Sequence, residues 1–123
     1  MFTALLAPRR FDSPAEESFY RAARRVGLYL RPQREIGPYR VDFTHSRGLL
    51  RMKRFVVEID GHDYHHASRE QVRRDYERER YLEARGWQVV RFTGSEVYRA
   101  ADKCVARLEE IAAAAPYKVF GIW

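Results

Sequence analysis

Residues 56–66 have the sequence VVEIDGHDYHH, in which β-branched residues lead into two carboxylates, a glycine and then histidines. The apolar run predicts a buried strand, and the glycine predicts its end. Side chains alternate along a strand, so Glu58 and Asp60 should lie on one face while Val57 and Ile59 lie on the other. Two carboxylates on one face indicate either an ordinary polar strand end or a site that holds a cation.

The chain before this strand predicts one helix and two further strands. SPAE (13–16) has the pattern of a helix start, with Ser13 as N-cap, a proline in the first helical position and a capping-box glutamate. An apolar stripe at helical spacing follows and ends at Gly27. LYLRPQREI (28–36) and YRVDF (39–43) then predict two strands separated by a Gly-Pro turn.

The chain after this strand predicts a helix, a strand and a final helix. The second helix should begin at Ser68 and end at Gly86, and WQVVRF (87–92) should form the fourth strand. Apolar positions at helical spacing after TGS (93–95) predict the last helix. The order α-β-β-β-α-β-α predicts an α/β (α+β) fold in which helices flank a mixed four-stranded sheet.

Length and composition limit the class of protein. The 123 residues allow one domain, and the single cysteine, Cys104, excludes an intrachain disulfide and a multi-cysteine zinc site. The net charge of +6 favours a polyanionic partner, with arginine-rich codon usage as the alternative explanation. No stretch is apolar enough to span a membrane and MFTALLAPRR (1–10) lacks the order of a secretory signal, so we expect a cytoplasmic protein.

A third carboxylate should lie next to the first two. Asp42 lies between Val41 and Phe43, which should both point to the opposite side of their strand. If this strand pairs with the one that contains Glu58, the two carboxylates fall on neighbouring strands of one sheet face. Carboxylates this close repel one another unless a cation holds them or one takes up a proton. Oxygen ligands suit Mg²⁺ or Mn²⁺, whereas the alternative is that each carboxylate pairs with a surface arginine.

Three segments resemble a known family: YRVDF (39–43), RFVVEIDGHDYHH (54–66) and RRDYERERYLEARGWQVVRFTGSEV (73–97). They are similar to small bacterial endonuclease-like proteins related to the very-short-patch-repair endonuclease, within the PD-(D/E)xK, restriction-endonuclease-like superfamily. The resemblance covers residues 13–112. It implies an αβββαβ core with an additional C-terminal helix, and one endonuclease-like domain over residues 1–123.

The resemblance also implies roles for individual residues. Asp42 and Glu58 would bind the divalent metal, and Glu17 on the first helix would complete the site, unless it merely pairs with the arginine one turn further on. Asp60, a further predicted ligand, stands where many relatives have a lysine. His65 matches a histidine of the relatives and is the candidate acid–base group. As an alternative, the histidines could form a separate Zn²⁺ or Mn²⁺ site.

Basic residues of the connection 45–54 and of the second helix are predicted to contact the phosphates of DNA. Asp75, Arg78 and Arg80 match polar residues that support or flank the site in the relatives, or else form a solvated helix face. The predicted nucleic-acid contacts are Arg47, Arg51, Lys53, Arg54, His62, Arg74 and Arg78.

The function predicted from these residues is a Mg²⁺-dependent deoxyribonuclease, with Mn²⁺ as the alternative metal and a role such as DNA repair. Because the strand motif lacks the lysine, one alternative is a weak or inactive nuclease-fold module that binds DNA or RNA. Another is a toxin or defence component that acts with a partner chain. The apolar tail VFGIW (119–123) would be the surface of a homodimer.

Overall fold

The computed structural model describes residues 11–60 and 68–116, so the predictions for His62, His65 and the tail 119–123 lie outside the described residues. The helices and strands follow the predicted order. They are α1 (Pro14–Arg25), β1 (Arg31–Ile36), β2 (Tyr39–Arg47), a short 3₁₀ turn (Leu49–Arg51), β3 (Lys53–Asp60), α2 (Arg69–Ala84), β4 (Trp87–Thr93) and α3 (Gly94–Ala114).

The four strands form one sheet in the order β1-β2-β3-β4. The β1–β2 and β2–β3 pairs are antiparallel, whereas β3 and β4 are parallel. Parallel neighbours need a crossover connection, and α2 lies within the one that joins β3 to β4. The predicted α+β fold with a mixed four-stranded sheet and a restriction-endonuclease-like core is therefore confirmed, and β3, which carries Glu58, is an inner strand.

Side-chain caps explain where the helices begin. The hydroxyl of Ser13 accepts a hydrogen bond from the Glu16 N–H, which fixes the start of α1 as predicted. The hydroxyl of Ser68 accepts one from the Gln71 N–H at the start of α2. At α3, Thr93 and Glu96 form a reciprocal capping box.

Apolar side chains pack on both faces of the sheet. The larger cluster joins the sheet to α1 and α3, and its members include Phe19, Phe43, Phe55, Val57, Phe92 and Leu108. The smaller cluster lies on the face that α2 covers and contains Val41, Val56, Leu82 and Trp87. Within the described residues, no helix is both long and apolar enough to cross a membrane.

The regular alternation of β2 breaks at Asp42. Val41 packs in the smaller cluster while Phe43 packs in the larger one, so the prediction that both side chains point the same way is wrong. The register of β1 and β2 gives the reason. The pairs Pro32–Phe43 and Arg34–Val41 are formed, and the two residues between them, including Gln33 with φ of 51°, interrupt the ladder.

The β1–β2 turn provides a test of the packing between the hairpin and α2. Gly37 has φ of 59°, and a Cβ there would overlap the hydroxyl of Tyr81 and lie 2.7 Å from its Cζ. We expect Gly37→Ala to lower the free energy of unfolding by about 3 kcal/mol, from backbone strain and overpacking. Gly27→Ala is the control, because its φ is 79° but a Cβ there would have no described atom within 4 Å other than those of its chain neighbours, and we expect a loss of about 1 kcal/mol. Urea unfolding measures both, and equal losses would show that the Tyr81 ring moves aside without cost.

Candidate active site

Three carboxylates meet where the start of α1 approaches β2. Oxygens of Asp12, Glu16 and Asp42 lie within 4.8 Å of one another. Glu16 is buried, Asp42 is half-buried and Asp12 is exposed. Burial together with the neighbouring negative charge of Asp12 raises the pKa of Glu16, although hydrogen bonds from Asp12, Ser13 and Gln33 oppose the rise.

Asp42 links this cluster to the strand motif of β3. Its Oδ2 accepts a hydrogen bond of 2.7 Å from the Ile59 N–H, between the two acidic residues of that motif. Burial raises the pKa of Asp42 to about 7, and the charges of Glu16, Glu58 and Asp60 add to the increase, while the bond from Ile59 opposes it. The predicted convergence of Asp42 with the β3 carboxylates at one point stays a prediction, because among the described residues the group of three carboxylates within 4.8 Å of one another consists of Asp12, Glu16 and Asp42.

Glu58 is buried and lies against an arginine of α2. The Oε1 atom of Glu58 contacts Nη1 of Arg78. The other terminal nitrogen of Arg78, Nη2, donates a hydrogen bond of 2.8 Å to the backbone oxygen of Arg40. Burial raises the pKa of Glu58, and the nearby guanidinium groups of Arg78 and Arg91 limit that rise. The hydrogen bond to Arg40 fixes the guanidinium of Arg78, which compensates a carboxylate that is otherwise removed from water.

Asp60 takes part in a second group of charges on the same face. Its Oδ2 lies 3.9 Å from Nη1 of Arg91, whose Nη2 lies 3.5 Å from Oε2 of Glu79 on α2. Arg91 was not identified from the sequence, because the pattern of WQVVRF predicts a strand and carries no signal of a functional site. Ile59 packs in the larger cluster, and side chains alternate along a strand, so Asp60 lies on the opposite face of the sheet, which α2 covers.

The first helix brings Glu16 to Asp42, and it does not bring the predicted Glu17 there. The carboxylate of Glu17 binds Arg21 at 2.7 Å on the exposed side of the helix, which is the alternative weighed for it. Glu16 lies three residues before Phe19 and seven before Ala23, both buried, so it continues the apolar stripe. That spacing is the sequence signal that Glu16 faces the sheet. From the sequence, Glu16 was assigned to the capping box alone and was therefore not identified as a site residue.

Gln33 is another residue that the sequence did not identify. Its Nε2 donates to Oε1 of Glu16 at 2.7 Å. A glutamine in the segment LYLRPQREI carries no metal-ligand or catalytic signature, and only the folded chain places it beside a carboxylate.

Several predicted nucleic-acid contacts have partners within the protein. Nζ of Lys53 donates to the backbone oxygens of Ala112 and Ala113 at 3.3 Å each. Arg47 lies 4.0 Å from Glu109, and the guanidinium of Arg54 lies 4.7 Å from the centre of the Trp87 ring.

The remaining predicted basic residues differ in position. Arg51 and Arg74 are exposed, whereas Arg78 is in the acidic site. Arg80 donates to the hydroxyl of Tyr76 at 3.0 Å on the surface of α2, and Asp75 is half-buried. For Arg80, the described contact therefore matches the solvated helix face that was weighed as its alternative.

The donor set fits a divalent cation that prefers oxygen ligands. Asp42 lies beside the carboxylates of Asp12 and Glu16. Its pKa near 7 reflects burial, and the charges of Glu16, Glu58 and Asp60 add to the rise, so its ionised form lacks sufficient compensation. Carboxylate oxygens without sulfur or nitrogen donors suit Mg²⁺ and Mn²⁺. Asp12, Glu16 and Asp42 are the described residues whose carboxylates lie close enough together to hold such an ion.

A mixed four-stranded sheet with helices in this order is the fold of the restriction-endonuclease-like class. The chain belongs to the REase_MTES_1575 family, a restriction-endonuclease-like family whose model matches residues 16–111. That membership indicates a nuclease and implies a DNA substrate. No curated protein matches the chain, and a closer relation to the very-short-patch-repair enzyme stays a prediction.

Proposed function

We propose that this protein is an endonuclease that hydrolyses phosphodiester bonds of DNA with a bound Mg²⁺ or Mn²⁺ ion. One observation carries the proposal. Asp42 is held by the Ile59 N–H among Glu16, Glu58 and Asp60, where burial and like charges raise its pKa to about 7. A cation would remove the repulsion that this arrangement creates.

Asp42 and Glu58 would hold the metal ion, with Asp60 as a further ligand. From the first helix we assign Glu16 rather than Glu17, because Glu16 is the residue whose carboxylate lies beside Asp42. A bound Mg²⁺ would stabilise negative charge on the scissile phosphate and lower the pKa of a bound water. His65 stays our proposed acid–base group on the strength of the family resemblance.

Arginines supply positive charge where the strand motif lacks a lysine. Arg78 contacts Glu58, and Arg91 lies 3.9 Å from Asp60, so both guanidinium groups face the carboxylates. We infer that Arg78 turns toward a phosphate oxygen once a metal ion neutralises Glu58, because guanidinium groups bind phosphate with directed hydrogen bonds.

Phosphate contacts away from the scissile bond would come from basic residues on the surface. Arg51 and Arg74 are exposed, and the net charge is +6. Such contacts attract DNA of any sequence and weaken as the salt concentration rises, because the counterions that the protein releases from DNA then gain less entropy. Lys53, Arg47 and Arg54 would reach DNA only if they left their contacts within the protein.

The test is cleavage of supercoiled plasmid by the purified protein with Mg²⁺, with Mn²⁺ and with chelator. We expect nicking with either metal and none with chelator. Glu58→Gln should lower the rate by roughly 100-fold or more, because even changes one contact away from a metal typically cost ten- to a hundredfold. Single-stranded DNA and RNA, assayed in parallel, give the substrate class.

Glu83→Gln is the matched control, since Glu83 is exposed at the end of α2 and should leave the rate unchanged. If Glu58→Gln cleaves at the wild-type rate, the cleavage does not depend on Glu58. This result would refute the proposed site, whether the activity comes from a contaminating nuclease or from another part of the protein. DNA binding that survives chelation, without cleavage under any metal, would establish the binding module in place of the enzyme.

A further inference from the structure

Gln33 has a backbone conformation that is unusual for its residue type and position. It lies within β1, yet its φ is 51°, in the left-handed region that residues other than glycine rarely adopt. Such a conformation costs free energy and persists where the surrounding structure imposes it, most often at functional sites.

The side chain of Gln33 shows what this conformation achieves. The residue falls between the register pairs Pro32–Phe43 and Arg34–Val41, at the ladder position opposite Asp42. Its Nε2 reaches Oε1 of Glu16 at 2.7 Å, the shortest of the three hydrogen bonds that described residues donate to that carboxylate. The interruption of the strand therefore coincides with a contact to the acidic cluster.

The other two donors to Glu16 belong to the start of its own helix. The Asp12 N–H donates to Oε1 at 3.4 Å, and the hydroxyl of Ser13 donates to Oε2 at 3.3 Å. Both lie within four residues of Glu16 and move with α1. Gln33, in contrast, belongs to the sheet, so its bond fixes the carboxylate of Glu16 relative to the strand that carries Asp42.

We propose that Gln33 is a positioning residue of the metal site. Its left-handed backbone directs the side-chain amide at Glu16 and holds that carboxylate beside Asp42 in the geometry that receives a cation. Ligands fixed in advance bind a metal more tightly, because ordering them does not oppose binding. This inference rests on the proposed function, and its rival is a purely structural link between α1 and β1.

The experiment measures two quantities, the melting temperature without metal and the dissociation constant for Mn²⁺ by calorimetry. Gln33→Gly should melt at the wild-type temperature or above, because glycine adopts φ of 51° without strain. Its dissociation constant for Mn²⁺ should rise about ten- to a hundredfold. Gln33→Met keeps the length and the strain but lacks the amide, so it should melt below the wild type with a similar rise in the dissociation constant.

Gln88→Gly is the matched control, since Gln88 lies in β4 and pairs in register with Phe55. We expect it to lower the melting temperature and to leave the dissociation constant unchanged, the reverse of Gln33→Gly. If both Gln33 variants bind Mn²⁺ with the wild-type dissociation constant, Gln33 is only a structural link between α1 and β1. That result would overturn this inference and leave the proposed function standing. Failure of the wild-type protein to bind Mn²⁺ would overturn the proposed function together with it.

Discussion

Asp42→Asn should unfold at a higher temperature than the wild-type protein at pH 8 in chelator, while losing its response to metal. In the wild type, Asp42 has a pKa of about 7 when folded, against 3.8 for the free group. The folded state therefore holds a proton that the unfolded state releases between these values, and stability falls as pH rises through that window. Asparagine does not ionise, and its side-chain oxygen can still accept the bond from Ile59.

The expected gain at pH 8 is at least about 5 °C, because even about 1 kcal/mol produces a shift of this size in a domain of this length. At pH 4 the two proteins should differ little, because Asp42 is protonated in the folded wild type. Mg²⁺ or Mn²⁺ at pH 8 should raise the melting temperature of the wild type alone, since binding to the folded state stabilises it. Plasmid cleavage by the variant should fall by roughly 100-fold or more.

Asp102→Asn is the control for this comparison, because Asp102 is exposed and pairs with Arg25 on the surface. It should change the melting temperature little at either pH. An Asp42→Asn variant that is less stable than the wild type at pH 8 in chelator would mean that the ionised carboxylate is compensated, which would remove the main support for a cation site.

Arg78→Ala should lower the free energy of unfolding by about 3 kcal/mol, because removal of one partner leaves the buried charge of Glu58 uncompensated. Lost packing against the Tyr39 ring, 5.9 Å from the guanidinium carbon, adds to the effect. The pKa of Glu58 should rise further, since burial already raises it and Arg78 opposes that rise. Part of the lost stability should return with Mg²⁺, which would replace the missing positive charge.

A double-mutant cycle with Glu58→Gln isolates the ion pair from the other contacts of Arg78. We expect a coupling energy of roughly 2 kcal/mol, measured by urea unfolding in chelator. Arg74→Ala is the control, because Arg74 lies one helical turn earlier and is exposed. It should change the free energy of unfolding by no more than about 0.5 kcal/mol, as surface substitutions usually do. Additive effects of Arg78→Ala and Glu58→Gln would show that the two side chains do not stabilise each other.

Local signals were enough to predict the framework of this fold. The caps at Ser13 and Ser68, the turn at Gly37 and the β-branched run of β3 all depend on neighbouring residues, so the sequence gives them directly. The pairing of β2 with β3 follows from the short connection between them.

The details of the site depend on geometry that the sequence does not display. Glu16 and Glu17 are chemically identical, and the rotation of α1 decides which one faces Asp42. The spacing of Glu16 to Phe19 and Ala23 indicates that rotation only once both of those residues are known to be buried. Gln33 acquires its contact through a φ of 51° that no local signal predicts for a glutamine. The basic connection was predicted to face DNA as a group, yet Lys53 contacts carbonyl oxygens near the end of α3, because long cationic side chains reach such groups as readily as solvent.

The left-handed residue in β1 also affects how the molecule behaves toward its own copies. Among the described strands β1 lies at the edge of the sheet, and an uninterrupted edge invites a strand of another molecule to pair with it. Proline at position 32 removes a backbone donor, Gln33 turns the next peptide out of line, and Arg31 and Arg34 place like charges along the same edge. The distortion beside the carboxylates therefore also protects the sheet against edge-to-edge aggregation.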